Sequence, residues 1–138
     1  MPTARPAMFV LMLSLLACSC NRQGGPETFP VSGVVTMQGQ PVEGASVSFE
    51  SVGGGAGSLV AITDAQGKFM LQTYIGNDQP KDGLAPGEYR VAITKLEVVS
   101  DMRRRPKDLL PKKFRDAKTS GLSATVAAGS NEFNFSLD

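Results

Sequence analysis

Residues 59 to 73 read Leu-Val-Ala-Ile-Thr-Asp-Ala-Gln-Gly-Lys-Phe-Met-Leu-Gln-Thr, and their reading decides the fold. At the centre, Asp64-Ala65-Gln66-Gly67 has the composition of a tight turn: an Asp side chain bonds its own backbone, and Gly takes a positive φ without steric cost. After the turn Phe69, Leu71 and Thr73 alternate with Met70 and Gln72, the period of two that sends successive side chains to opposite faces of a strand. Before it, Leu59 to Thr63 has the length of a short strand. Two such runs around a tight turn predict a hairpin, the clearest in the chain.

The same period recurs on both sides. Val31, Gly33, Val35 and Met37 alternate with Ser32, Val34 and Thr36; Gln38-Gly39-Gln40-Pro41 supplies a turn; Val47 and Phe49 point opposite to Ser46, Ser48 and Glu50. Gly53-Gly54-Gly55-Ala56-Gly57 has no side chain able to fill a core and reads as a loop. Beyond Pro86-Gly87, Tyr89, Val91 and Ile93 alternate with Arg90, Ala92 and Thr94, followed by Leu122, Ala124 and Val126 and by Phe133, Phe135 and Leu137. About seven strands, each with one apolar and one polar face, predict an all-β fold: a seven-strand antiparallel β-sandwich with wet outer faces. The expected core is Val35, Val47, Phe49, Ile62, Phe69, Leu71, Tyr89, Val91, Ile93, Val126, Phe133 and Phe135.

Composition narrows the function. Fifteen Gly and nine Pro favour turns over long helices, and the chain has no His and no Trp. Without His the commonest general base, the usual partner of a nucleophilic Ser or Cys and the commonest zinc ligand are all missing. No Ser sits in a strand-turn-helix elbow. Asp64, Asp78 and Asp82 are oxygen donors, but Asp78-Gln79-Pro80-Lys81-Asp82-Gly83 lacks the spacing of a calcium loop. No catalytic residue, cofactor or metal is therefore assigned, and the expectation is that the chain is not an enzyme.

Residues 7 to 17, Ala-Met-Phe-Val-Leu-Met-Leu-Ser-Leu-Leu-Ala, form an apolar run preceded by Arg5. The run is too short to span a bilayer and matches the apolar segment of a secretory signal. Leu15-Leu16-Ala17-Cys18 resembles the lipobox of bacterial lipoprotein precursors. That resemblance implies a signal peptide over 1–17, cleavage before Cys18, a diacylglycerol on its sulfur and often a further acyl chain, such as palmitate, on the new amino terminus. Two or three such chains make a permanent membrane anchor. Cys20 fits the pattern less well. The two cysteines lie too close together to close a useful disulfide loop. Residues 18–28 then form a tether, and 29–138 the sandwich domain, displayed at the cell envelope and facing the periplasm or the exterior.

The domain also resembles a family. Val31-x-Gly33-x-Val35-Thr36-x-x-Gly39-x-Pro41-Val42-x-Gly44-Ala45-x-Val47-x-Phe49, with Thr63-Asp64-x-x-Gly67-x-Phe69-x-Leu71 and Pro86-Gly87-x-Tyr89-x-Val91-x-Ile93, looks like the carboxypeptidase regulatory-like domain. The ending, Thr119-Ser120-Gly121-Leu122 with Asn131-x-Phe133-x-Phe135-x-Leu137, is similar to small planctomycete lipoproteins of this type. The resemblance implies a transthyretin-like, Ig-like sandwich, non-catalytic, serving as a spacer or interaction module.

A basic insertion at about 98–118 departs from the strand pattern. From Met102 to Lys118, eight Lys and Arg face only Asp108 and Asp116, a local charge of +6, and the rest of the chain after Ala17 carries −6. With a mature total of zero, nucleic acid is not expected as a partner. Arg103, Arg104, Arg105, Lys107, Lys112 and Lys113 are the candidate contacts for an anionic partner such as lipid head groups, surface polysaccharide or an acidic protein patch. Solvated loop charges are the plainer alternative. Leu109, Leu110 and Phe114 are interleaved with these cations and suit docking on a membrane or on the domain itself. The expected function is a structural or interaction module that binds an envelope protein or glycan; the alternative is a carbohydrate- or solute-binding lipoprotein, for which Tyr74 is the candidate aromatic platform. An adhesin-type isopeptide bond would use Asn131 or Asn134, but the first strand has no Lys to react with them.

Overall fold

The alternating runs become strands, but the run through Leu71 is divided into two, Lys68–Met70 and Gln72–Ile75, which join different sheets, so the described residues hold ten strands rather than the seven expected. The computed structural model describes residues 27–54, 58–75 and 79–138, with the backbone alone for 73–75 and 79–80. Cys18, most of the tether, Asp78 and the Tyr74 side chain lie outside the described residues. The first sheet is built on β1 (Val31–Met37), flanked on one edge by β10 (Asn131–Ser136) and on the other by β2 (Gln40–Pro41) and β5 (Lys68–Met70). The second runs in the order β4 (Ser58–Ile62), β3 (Ser46–Ser51), β8 (Gly87–Thr94), β9 (Leu122–Val126), antiparallel throughout. A ribbon of β6 (Gln72–Ile75) and β7 (Gln79–Asp82) completes the described strands. The chain is thus mostly β, in two mostly antiparallel sheets.

Three further expectations need correction. First, the pairing is not wholly antiparallel: β1 and β10 run parallel, Val31 beside Asn131 and Thr36 beside Ser136. Periodicity marks faces but carries no information on direction. Second, Asp64 to Gly67 is a tight turn but not a hairpin. Its carboxylate accepts the N–H groups of Gln66 and Lys68, each at 2.9 Å, and Gly67 N–H donates to the Asp64 carbonyl. Yet β4 pairs with β3 and β5 with β1, so the turn carries the chain from one sheet to the other. Gly67 adopts φ +72°, and a Cβ there would lie 2.5 Å from the Val35 carbonyl oxygen. That carbonyl and the N–H of the same residue bracket the turn: Val35 N–H donates to Gly67 O at 2.8 Å. Third, Ile62 is 61% exposed. In β4 the register sets Ala61 against Val47 and Leu59 against Phe49, so Val60 and Ile62 face outward.

The remaining expected core holds. Val35, Val47, Phe49, Phe69, Leu71, Tyr89, Val91, Ile93, Val126 and Phe135 are buried, and Phe133 packs against them partly exposed. Phe49 is the centre. Its ring lies 6.0 to 6.4 Å from those of Phe69, Phe133 and Phe135 of the first sheet and Tyr89 of its own, so one fully buried side chain joins both sheets. Such burial contributes about 1.5–3 kcal/mol. Tyr89 keeps its hydroxyl satisfied by donating to the Ala85 carbonyl at 2.8 Å, and burial raises its pKa above the ordinary phenol value.

The backbone pairings define two poles. At the near pole Phe29 N–H donates to Leu84 O, and the Asn131 side-chain amide holds the Ala127–Gly129 turn and Pro30. At the far pole lie the β1–β2 turn, the last residue Asp138 and the end of β8, where Gln38 N–H meets the Asp138 carboxylate. That turn is two residues, Gln38 at φ 51° and Gly39 at φ 76°, the type I′ geometry that suits the twist of a hairpin. The seven residues of β1 separate the poles by roughly 20 Å at about 3.3 Å per residue.

Candidate functional site

The 27 residues between β8 and β9 do not wander; they form a short finger and a pinned return. At the far pole the chain leaves β8 and doubles back: Glu97 N–H donates to Lys107 O at 2.9 Å, Leu109 N–H to Lys95 O at 2.7 Å, and Leu96 sits opposite Asp108 in an antiparallel bridge. Asp108 locks this base. Its side chain is only 2% exposed; one oxygen accepts the N–H groups of Lys95 at 3.1 Å and Leu110 at 3.0 Å, and the other takes Arg115 Nε at 3.4 Å. At the tip the Asp101 carboxylate accepts Arg103 N–H and its carbonyl accepts Arg104 N–H. The Arg104 guanidinium folds back onto Glu97 as an ion pair at 2.7 Å, too poorly aligned to count as a hydrogen bond.

The return runs along the domain. Leu110, Phe114 and Ala117 are buried, the first two within the main core. A single 3₁₀ turn, Lys112–Arg115, carries Phe114 inward. Ser120 Oγ donates to the Val91 carbonyl, tying the return to the middle of β8. Of the interleaved apolar residues, Leu110 and Phe114 therefore dock on their own domain, whereas Leu109 remains 52% exposed.

The structure divides the six candidate cations into two groups. Arg103, Arg104, Arg105 and Lys107 are exposed on the finger. Lys112 and Lys113 belong to the 3₁₀ turn, and Lys113 is engaged: Nζ donates to the Asp138 carbonyl at 2.8 Å and stands 4.7 Å from the Phe114 ring centre. Among the described residues nothing pairs with the side chains of Arg103, Arg105 or Lys107. Beside them stand four of the eight exposed large apolar side chains of the described residues: Leu96, Val98, Met102 and Leu109. Val98 and Met102 are as exposed as in an open chain, at 101% and 100%.

Sequence reasoning missed Val98, Met102 and the lock at Asp108. The signal for Asp108 was present: an acidic residue within a run of eight cations needs a local reason to be there. The exposure of Val98 and Met102 had no signal, because apolar residues two to four apart near a strand end read equally well as core.

A second feature is an open hollow of about 650 Å³ on the outer face of the first sheet, bordered by Val34, Ile62, Lys68, Met70, Gln72 and Glu132. Phe69 is the only aromatic residue at it and is buried, so the hollow has no stacking platform. Among the described residues no group of His, Cys, Asp and Glu is arranged to hold a metal ion, and no helix is long and apolar enough to cross a membrane. Comparison with protein-family models and with curated proteins finds no match for the chain.

Proposed function

We propose that the chain is a non-catalytic lipoprotein of the cell envelope, anchored through Cys18, whose two sheets form a transthyretin-like β-sandwich of the carboxypeptidase regulatory-like kind and serve as a structural or interaction module. The observation that carries this reading is the separation of the two poles: the described chain comes in at Phe29 and Pro30, and the charged projection between Lys95 and Leu109 stands at the opposite end. A domain held by one pole presents the other. The sandwich itself is supported by the ring contacts from Phe49 to both sheets and by Tyr89, whose hydroxyl bonds a carbonyl four residues upstream near the start of β8, as in the tyrosine corner of immunoglobulin-like sandwiches. The polar side chains best placed for chemistry have structural tasks: Thr63 accepts from Ala45 N–H and donates to Val42 O, Asp108 locks the finger and Ser120 holds β8.

Growth with an alkyne-bearing fatty acid tests the anchor. The wild-type chain and Cys20→Ser are expected to take up the label and sediment with membranes, and Cys18→Ser to lose both. Label retained in Cys18→Ser, or an unlabelled chain in the medium, defeats the reading. Cross-linking in intact envelopes before extraction then identifies the envelope protein or glycan that the domain contacts.

A further inference from the structure

We propose that the finger docks on the surface of an anionic phospholipid bilayer, with Val98 and Met102 entering the interfacial region and Arg103, Arg105 and Lys107 meeting head-group phosphates. The inference rests on the proposed envelope location in needing a membrane within reach: the eleven residues 18–28 can extend to about 36 Å, more than the roughly 20 Å between the poles, so an anchored domain can lie along the bilayer and touch it with the finger. Which residues touch it follows from the finger alone. Two fully exposed apolar side chains lie within ten residues of three cations that no described residue pairs with. Each half of this pairing is unfavourable or idle in water, and a bilayer interface satisfies both: apolar side chains leave water at the acyl boundary while guanidinium and ammonium groups stay among phosphates. Arg suits phosphate because its planar fork donates two parallel hydrogen bonds.

The alternatives fit less well. A polyanionic glycan would employ the cations but leave Val98 and Met102 in water. A protein partner in a stable complex covers about 800 Å² on each side, and the tip is a narrow loop whose apolar surface is confined to a few side chains. The finger is also built to hold its shape. Asp108 closes the base, Asp101 turns the tip, and Arg104 is spent on Glu97, so the remaining cations and the two apolar side chains are presented without a folding step at the surface. Leu96 and Leu109, both more than half exposed at the base, extend the apolar rim for a deeper contact.

The test uses the full chain, mixed in parallel with phosphatidylcholine vesicles and with phosphatidylcholine vesicles containing phosphatidylglycerol. Amide exchange over 96–107 is followed by mass spectrometry, with β3 and β8 as internal controls of folding. Exchange is expected to slow on the order of tenfold on the anionic vesicles relative to the neutral ones, and to recover in molar salt. Each cation removed weakens the contact about fivefold, so the triple variant Arg103→Ser, Arg105→Ser, Lys107→Ser loses the protection, and so does Val98→Ser with Met102→Ser. Equal exchange on the two vesicle types overturns the proposal. Protection that survives the Val98 and Met102 changes, or is matched by soluble polyphosphate, also overturns it and points to a polyanion instead. Flotation with the neutral vesicles reports the anchor separately. A chain that fails to float there, yet floats with phosphatidylglycerol, loses its anchor assignment and keeps its finger.

Discussion

Gly33 shows how narrowly a single residue can be specified. In β1 it lies between Phe69 of β5 and Phe133 of β10, and a Cβ there would sit 1.8 Å from the Phe133 carbonyl oxygen and 2.7 Å from the tip of the Phe69 ring. The nearer atom is backbone and cannot swing away. Gly33→Ala is therefore expected to destabilise the domain by about 3 kcal/mol, the upper part of the range for overpacking, against a gain of no more than about 1 kcal/mol from stiffening the unfolded chain. Urea midpoints of the two proteins decide it; an unchanged midpoint would mean that β1 and β10 are further apart than their register requires. The position was legible in sequence only as an alternating place in a strand. Its requirement for glycine comes from a strand near the other end of the chain and is invisible without it.

Among the elements, the finger and the crossover turn divide what sequence could supply from what it could not. Asp64 and Gly67 were readable as a turn because their chemistry is local; the sheets receiving the flanking strands are chosen by contacts that local composition does not encode. Ile62 fails for a related reason. Val60, Ala61 and Ile62 are all apolar, so period two has no phase there, and Ala61 is the residue that fits against Val47. In the basic insertion the charges were plain, while the burial of Leu110 and Phe114 and the lock at Asp108 depend on the return path. Asp108→Ala removes the acceptor of two backbone N–H groups and should cost about 1–3 kcal/mol, the usual consequence of leaving such donors unpaired. That loss is expected to be local: amide exchange should rise between Lys95 and Leu110 and stay unchanged in β3 and β8. A uniform rise would show that the finger and the sheets open as one unit.

For the whole molecule, the core predicts a response to alkali. Burial raises the Tyr89 pKa in the folded state, so the unfolded chain gives up that proton first. The contribution of the neutral phenol is present below its unfolded value, about 10, and is lost as pH rises through the folded one. Denaturant midpoints measured from pH 8 to pH 11 should fall at the alkaline end, and Tyr89→Phe should flatten that fall while lowering the plateau by about 1 kcal/mol for the bond to Ala85. Equal slopes in both proteins would assign the fall to other groups.

The parallel pair β1–β10 has a further consequence, in the order of folding. The bonds that seal this seam join groups such as Asn131 and Pro30, 101 residues apart. Closing so long a span costs chain entropy before any contact rewards it, and topologies dominated by distant pairings are slow. Until β10 has been synthesised, β1 offers an uncovered edge along which a second nascent chain could add. Ribosome-bound or truncated chains that stop short of Asn131 should therefore be captured by holdase chaperones, and release should coincide with the arrival of the final strand.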